Sequence, residues 1–419
     1  MADARQVTLK ALDTVLLEDG FSNLALDKLI KAHDLSERDV SFCTSLFYGV
    51  IERKLTLDYV IEKASGKKIK KLDSFIVNIL RMGIYQIFYM NSVHDGAAVN
   101  ESVKLAKKTK KPFLSGFVNA VLRKVVRERE AFLPSKENLS SYYSCDEGII
   151  EGLIGDYGRE NAEKILEHSL LSVPTTVRVN TLKTTAEELI EIFKNEGIEC
   201  EKLNGTTLVI KKQGNITALQ SYKNGLFHPQ TTVSGLTAEA VGVKKGDMVL
   251  DACAAPGGKS FTMAEIMENE GRITSLDLHP HRIELIEKGA KRLGINIIKA
   301  KTADATNFHE GEYDKILCDV PCSGLGMLAE KPDIKYNKGI FENTELTEIQ
   351  ENILKNCASL LKKGGRLVYS TCTLRRAENE DIVEKFIKEN TEFSLVSQKT
   401  YMPHIDNTSG FFIAEIERH

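Results

Sequence analysis

A chain of 419 residues is too long for a single hydrophobic core, so two or three domains are expected. With 42% hydrophobic and 27% charged residues its composition is that of a soluble globular protein, and no apolar run approaches the ~20 residues that cross a bilayer. A net charge of −3 excludes a globally basic nucleic-acid binder, so contact with a polyanion has to come from local patches. The start, Met1-Ala-Asp-Ala-Arg5, carries no signal-peptide apolar core, and eight cysteines are scattered along the chain. Both features point to a reducing cytoplasm and free thiols, with no membrane attachment. Residues 1–132 carry helical spacing throughout: Val7, Ala11, Leu12 and Val15, then Leu24, Leu26, Leu29 and Ile30, then Val40–Ile51 and Phe75–Phe88. An all-α N-terminal domain follows.

The helical pattern breaks near Leu133-Pro134, and residues 140–235 mix helix with β-branched runs, giving a small α+β middle domain. Helices are expected over 160–171 and 184–196, and strands over 174–180 and 207–211. From 236 to 419 strands and helices alternate. Strands are expected near 248–251, 272–277, 295–299, 313–319 and 366–371, with helices near 259–268, 280–293 and 343–362. That alternation predicts an α/β domain with a doubly wound, mostly parallel sheet, and late strands near 393–396 and 411–416 would close one edge antiparallel. Arg178 and Asn180, at the end of a strand, are either exposed polar residues or RNA contacts.

Three basic clusters lie in the helical region: Lys63, Lys67, Lys68, Lys70 and Lys71; Lys104, Lys107, Lys108, Lys110 and Lys111; Arg123, Lys124, Arg127 and Arg129. They are either solvated helix faces or a surface that contacts phosphates.

The stretch Asp251-Ala-Cys-Ala-Ala-Pro-Gly-Gly-Lys259 joins a strand to a helix N-terminus, where free N–H groups can bind an anion. It is not a Walker A loop, because Cys253 stands where the first glycine is needed. Nor is it a dinucleotide fingerprint, since Cys253, Ala254 and Ala255 replace glycines. There is room for a carboxylate and a nucleoside but no cradle for a triphosphate. Asp277, ending the next strand, lies where an acid meets ribose hydroxyls in such sheets.

Two cysteines fall at the carboxyl ends of later strands, where the ligand crevice of an open α/β sheet lies. One strand ends in Asp319 and runs into Val320-Pro321-Cys322; another delivers Cys372. A thiolate can add to C6 of a pyrimidine, and a partner at N3 lowers that barrier. C5 can then attack an electrophilic methyl group, after which a second group removes the C5 proton and the first thiol leaves. Asp319, Cys322 and Cys372 suit partner, eliminator and nucleophile, although the residues alone do not rank the two thiols. Asp319 would have to be protonated to assist neutral cytosine. The base must leave its stack, so single-stranded or loop RNA is the expected substrate. Cys43, Cys145, Cys200, Cys318 and Cys357 are expected to be inert core thiols. A zinc site from Cys253, Cys318, Cys322 and Cys372 lacks any C-x-x-C pair, and no thioredoxin-like motif supports a redox pair.

The segments Cys253–Lys259, Asp319–Gly326 with Lys331-Pro-Asp-Ile-Lys335, and Tyr369–Leu374 resemble the RNA cytosine-C5 methyltransferases that use S-adenosyl-L-methionine. Together with Ser115–Arg123, which is similar to the NusB-type RNA-binding helical domain, and Thr176–Lys183, they resemble the bacterial RsmB/Sun (Fmu) family across nearly the whole chain. The resemblance implies a Rossmann-like catalytic domain and formation of 5-methylcytosine in 16S rRNA, at cytosine 967. It places the cofactor on Cys253, Ala254, Ala255, Pro256, Gly257, Gly258, Lys259, Asp277, Asp304 and Asp319. It makes Cys372 the nucleophile and Cys322 the residue for product release. It also implies a cytoplasmic monomer that needs no metal. The chain departs from the family pattern at Val320, at Ala329 and Glu330 (usually two arginines), at Cys145-Asp-Glu-Gly, and at Thr231 and Ser409 (commonly aspartates). A non-catalytic NusB-like RNA-binding adaptor, or the same chemistry on tRNA or 23S rRNA, are the competing readings.

Overall fold

The computed structural model describes residues 3–17, 22–211 and 215–419, with side chains from residue 25 in the second stretch. Met1, Ala2 and the Leu24 side chain named above therefore lie outside the described residues. The chain divides into two compact units: residues 1–155 with 331–339, and residues 156–330 with 340–419.

The first unit is helical. Its main helices are Ala4–Leu17, Ser22–Ala32, Glu37–Glu52, Lys54–Ser65, Ser74–Tyr89, Asp95–Lys107 and Ser115–Arg127. Their apolar faces meet in one core that includes Leu12, Phe47, Leu57, Leu80 and Leu122. Local chemistry sets the ends. Ser36 accepts the Asp39 N–H and caps one helix, with Glu37 and Asp39 in its first turn, where acids complement the free N–H groups. Ser74–Tyr89 is buried along most of its length, and its Arg81 grips both oxygens of Asp58 at 2.7 and 2.8 Å.

Residues 331–339 complete this unit from far along the chain. Tyr336 packs against the same core, its hydroxyl 2.5 Å from the Ile51 carbonyl and 3.0 Å from Ser144 Oγ. The adjoining Lys335 is fully buried, and its carbonyl accepts the Asp146 N–H at 2.8 Å. Burial pushes its ammonium down to about 8, with Glu52 opposing that shift.

The second unit contains two sheets. The smaller is antiparallel, in the order β2-β3-β1-β4, from β1 (Thr175–Val179), β2 (Cys200–Lys202), β3 (Thr207–Ile210) and β4 (Phe227–Pro229). The helix Ala186–Asn195 covers it and opens with a reciprocal cap between Thr185 and Glu188. The short β2 and β4 had no clear signal, since three residues cannot display an alternation.

The larger sheet has seven strands: β5 (Met248–Asp251), β6 (Arg272–Asp277), β7 (Ile298–Thr302), β8 (Tyr313–Asp319), β9 (Leu361–Thr371), β10 (Phe393–Tyr401) and β11 (Phe411–Arg418), in the order β10-β11-β9-β8-β5-β6-β7. Strands β5 to β9 are parallel, β11 runs antiparallel to β9, and the edge strand β10, antiparallel to β11, returns to the direction of the other five. With the helices that pack on it, this is the fold of S-adenosylmethionine-dependent methyltransferases. The chain steps outward from β5 to β7 and then returns to β8 beside β5. The strand order therefore reverses at β5/β8, and a crevice opens beyond their carboxyl ends. β7 begins three residues later than its sequence suggests. Gly294 ends the preceding helix in the left-handed region (φ 79°), and the Ile295 N–H folds back onto the Ala290 carbonyl.

Arg178 and Asn180 are not exposed and are not free to touch RNA. Arg178 is buried, with Nε 3.0 Å from Glu265 and Nη1 3.0 Å from Glu239. Asn180 Nδ2 donates to the carbonyls of Gly225 and Leu293, both at 2.8 Å. The partners of each come from far along the chain, where no local pattern announces them.

Candidate active site

The parallel strands deliver one acid each to the same rim of the sheet: Asp251 ends β5, Asp277 ends β6, Asp319 ends β8, and Asp304 stands two residues beyond β7. Cys372 follows directly on β9. The glycine turn at the tip of β5 thus has the two thiols on its β8/β9 flank and Asp277 and Asp304 on its β6/β7 flank.

The turn is fixed by backbone. The Ala252 N–H reaches the Leu317 carbonyl and the Ala254 N–H the Leu276 carbonyl, so β8 and β6 grip it from either side. Gly257 adopts φ 110°, and a Cβ there would lie 2.4 Å from the Phe261 ring. No other residue fits, and the helix Gly258–Ile266 starts immediately after it with its N–H groups free. Asp251 is buried beneath the turn. One of its oxygens takes a bond from Ser260 Oγ at 2.6 Å and the other has no partner.

Lys259, from the first turn of that helix, crosses to Asp319 with Nζ–Oδ2 at 2.6 Å, and Ser370 Oγ donates to Asp319 Oδ1 at 2.9 Å. Burial works against the Lys259 ammonium, but Asp319, Asp251 and Cys372 around it carry it above the ordinary lysine range. Asp319 therefore meets an ammonium on one oxygen and a hydroxyl donor on the other. The Cys322 and Cys372 sulfurs are 3.2 Å apart, half-buried and reduced. The hydrogen bond with Cys372, burial, and the nearby negative charges of Glu378 and Asp319 push the Cys322 thiol well above its usual range.

The remaining site residues are less tightly connected. Asp277 accepts the His279 N–H at 3.0 Å and has the Arg282 guanidinium 3.6 Å away. Asp304 holds its own turn through the Thr306 N–H and hydroxyl. Cys253 is half-exposed as a residue, but burial pushes its thiol far up. Cys43, Cys145, Cys318 and Cys357 are buried, whereas Cys200, expected with them, is half-exposed. Among the described residues no group of three His, Cys, Asp or Glu is placed to hold a metal, and no helix is long and apolar enough to cross a membrane.

Three family models match the chain in order: the NusB family over residues 2–127, a ferredoxin-like domain of RsmF/B-like methyltransferases over 147–217, and the 16S rRNA methyltransferase RsmB/F over 238–417. The probable ribosomal RNA small subunit methyltransferase B of Bacillus subtilis is 38% identical, covering 99% of this chain and 98% of its own. The chain belongs to the RsmB/F family of 16S rRNA methyltransferases. The corresponding protein of Synechocystis is 32% identical over the full length of both chains. Among solved structures, that of PH0851 superimposes with a TM-score of 0.83 at 25% identity, covering 100% of this chain and 99% of that one.

Two departures of this RsmB/F member from the family pattern meet in space: the Ser409 hydroxyl donates to the Glu330 carboxylate. A third has a local reason. Thr231 caps the helix Thr232–Ala240 by accepting the Ser234 N–H, a task an aspartate performs equally well. Several residues of the site carried no sequence signal. Gln350 and Glu378 touch the Cys322 turn from outside every motif, whereas Ser370, which touches Asp319, lies inside the Tyr369–Leu374 segment without having been given a role.

Proposed function

We propose that this RsmB/F protein transfers a methyl group from S-adenosyl-L-methionine to C5 of a cytosine in 16S rRNA, position 967 by resemblance, through a transient bond between Cys372 and C6. The observation that carries the reading is the 3.2 Å thiol pair standing beside the Lys259–Asp319 ion pair at one strand rim. The residues present suit the cofactor. Helix N–H groups at Gly258 and Lys259 can hold its carboxylate. Asp277 can take ribose hydroxyls, as Asp304 can a polar edge of the adenine, and Cys253 to Gly257 provide a close backbone wall. When bound, the cofactor supplies an electrophilic methyl group.

The chain's own groups then divide the work. The Lys259 ammonium favours the Cys372 thiolate, which forms the S–C6 bond. Negative charge moves onto the base, and the Lys259–Asp319 pair provides the proton that N3 requires. C5 takes the methyl group. Cys322, once its own proton has passed to solvent, accepts the C5 proton, the C5–H electrons restore the C5=C6 bond, Cys372 leaves with the electrons of the S–C6 bond, and the N3 proton returns to the Lys259–Asp319 pair.

The helical region 1–132 is the proposed NusB-like RNA-binding domain, with 140–235 as a smaller RNA-contacting domain and 236–419 as the catalytic domain. Its basic clusters, distant in sequence, adjoin in the fold. Lys111 pairs with Asp73 at 2.6 Å, Lys67 lies over the Phe117 ring, and Lys124 Nζ reaches the Ala64 carbonyl. Together they offer phosphate contacts to a single-stranded or loop segment of the RNA. The protein is proposed to act as a cytoplasmic monomer.

The test is methyl transfer from labelled cofactor to undermodified 16S rRNA, with bisulfite mapping of the product. Cys372→Ala is expected to abolish turnover, and Cys322→Ala to accumulate a covalent protein–RNA adduct. An adduct trapped by the Cys372 variant instead reverses the two roles. Failure of calorimetry to detect cofactor binding favours the RNA-binding adaptor.

A further inference from the structure

Cys322 lies in residues 320–324, a stretch with neither helix nor strand of its own. A reacting atom on such a segment needs support from outside, because loops hold side chains less accurately than helices or strands. That support comes from two fully buried polar side chains. Gln350, on the helix Glu345–Ser359, donates through Nε2 to the Pro321 carbonyl at 2.8 Å. Glu378, in the short turn Arg376–Glu378, accepts the Ser323 N–H at 2.9 Å through Oε2. The same Oε2 accepts a second bond from Gln350 Nε2 at 2.9 Å, which joins the two supports. The residues immediately before and after Cys322 are therefore both tied to one buried pair.

The arrangement is costly. Glu378 Oε1 and Gln350 Oε1 are buried without a hydrogen-bond partner, and the Arg375 guanidinium is no nearer than 3.8 Å to the former. An apolar pair of similar size would avoid both unmatched oxygens but would release the Pro321 carbonyl and the Ser323 N–H, the backbone groups on either side of Cys322. What the pair secures at that cost is the Cys322 segment.

We propose that Glu378 and Gln350 are positioning residues for product release, fixing residues 321–323 so that the Cys322 sulfur reaches the C5 proton once the methyl group is in place. This rests on the two-thiol reading above. The step balances as written there: the C5–H bond breaks toward Cys322, C5=C6 re-forms, and Cys372 departs as thiolate. A displacement of about 1 Å at a reacting atom costs up to about 100-fold in rate. Glu378→Ala is therefore expected to lower kcat about 10- to 100-fold, with KM for the cofactor unchanged, and to accumulate the covalent adduct that marks failed release. Glu378→Gln keeps an oxygen that can accept both bonds, so it is expected to restore turnover and clear the adduct.

The experiment compares Cys322→Ala, Glu378→Ala and Glu378→Gln in the full-length protein, reading single-turnover methylation, multiple-turnover kcat and adduct on denaturing gels. Adduct in both Cys322→Ala and Glu378→Ala, and its absence in Glu378→Gln, supports the proposal. Adduct in Cys322→Ala alone, or equal loss in the Ala and Gln variants, overturns it. No adduct even in Cys322→Ala counts against the two-thiol reading itself. Should Glu378→Ala not fold, Gln350→Met removes the bond to the Pro321 carbonyl and is judged by the same readings.

Discussion

Replacing Asp251 by asparagine tests the electrostatics beneath the glycine turn. Asp251 is 1% exposed, receives one hydrogen bond, from Ser260, and leaves its other oxygen unpaired. Burial pushes its carboxyl up from 3.8 to about 7, with Asp319 adding to the rise and Ser260 and Lys259 opposing it. The folded protein then holds a proton that the unfolded chain gives up at lower pH, so stability falls as pH rises from about 4 to about 7 and is level above that. At about 1.4 kcal/mol per pKa unit, the contribution lost between pH 5 and pH 8 is about 2–3 kcal/mol. Asparagine does not titrate and loses nothing. Urea denaturation of both proteins at pH 5 and pH 8 measures the difference, in which titrating groups remote from Asp251 cancel. Asp251→Asn should gain on the parent by about 2–3 kcal/mol from the lower pH to the higher. A constant difference, or a parent that gains on the variant as pH rises, would show that Asp251 is ionised when folded and would refute the reasoning.

Arg178→Met leaves the Glu265 carboxylate, 0% exposed on its side chain, without its 3.0 Å partner. Breaking a buried pair in this way costs about 3–5 kcal/mol, a fall in unfolding midpoint of about 6–15 °C for a unit of this size, and scanning calorimetry should show it. A loss below about 1 kcal/mol would mean that the pair is not buried in solution. Lys107, Lys108 and Lys110 are exposed and form no ion pair among the described residues. If they touch phosphates, changing all three to glutamate should flatten the slope of log affinity for 16S rRNA fragments against log salt by about 2. An unchanged slope would place the RNA elsewhere.

The catalytic half was readable because its physics is local. A strand buried on both faces, such as Met248–Asp251, is a short apolar run closed by a turn, and five strands alternating with helices leave few topologies open. Residues at strand ends inherit their location from that topology, so Asp277, Asp319 and Cys372 could be placed on one rim before any distance was known. Arg178 shows where such reasoning stops. A charged residue on a strand reads as exposed unless its countercharges are visible, and Glu239 and Glu265 lie on helices of the other sheet's layer. Glu378 and Gln350 are hidden for the same reason: each sits on an ordinary polar-looking segment, and only the fold turns them inward. The Lys259–Asp319 contact depends on one side chain reaching across the rim, which spacing cannot reveal.

The contribution of residues 331–339 bears on how the protein is made. Tyr336 and Lys335 fill the interior of a helical unit whose other residues all precede Gly339 by a long stretch of chain. During synthesis the helices of the first unit emerge well before the piece that completes their packing, so they wait on the ribosome with an open seam. An amino-terminal fragment cut at residue 155 carries that seam permanently. Expressed alone it should be less stable than the same helices in the intact chain, and supplying the missing nonapeptide in trans is the natural way to close it.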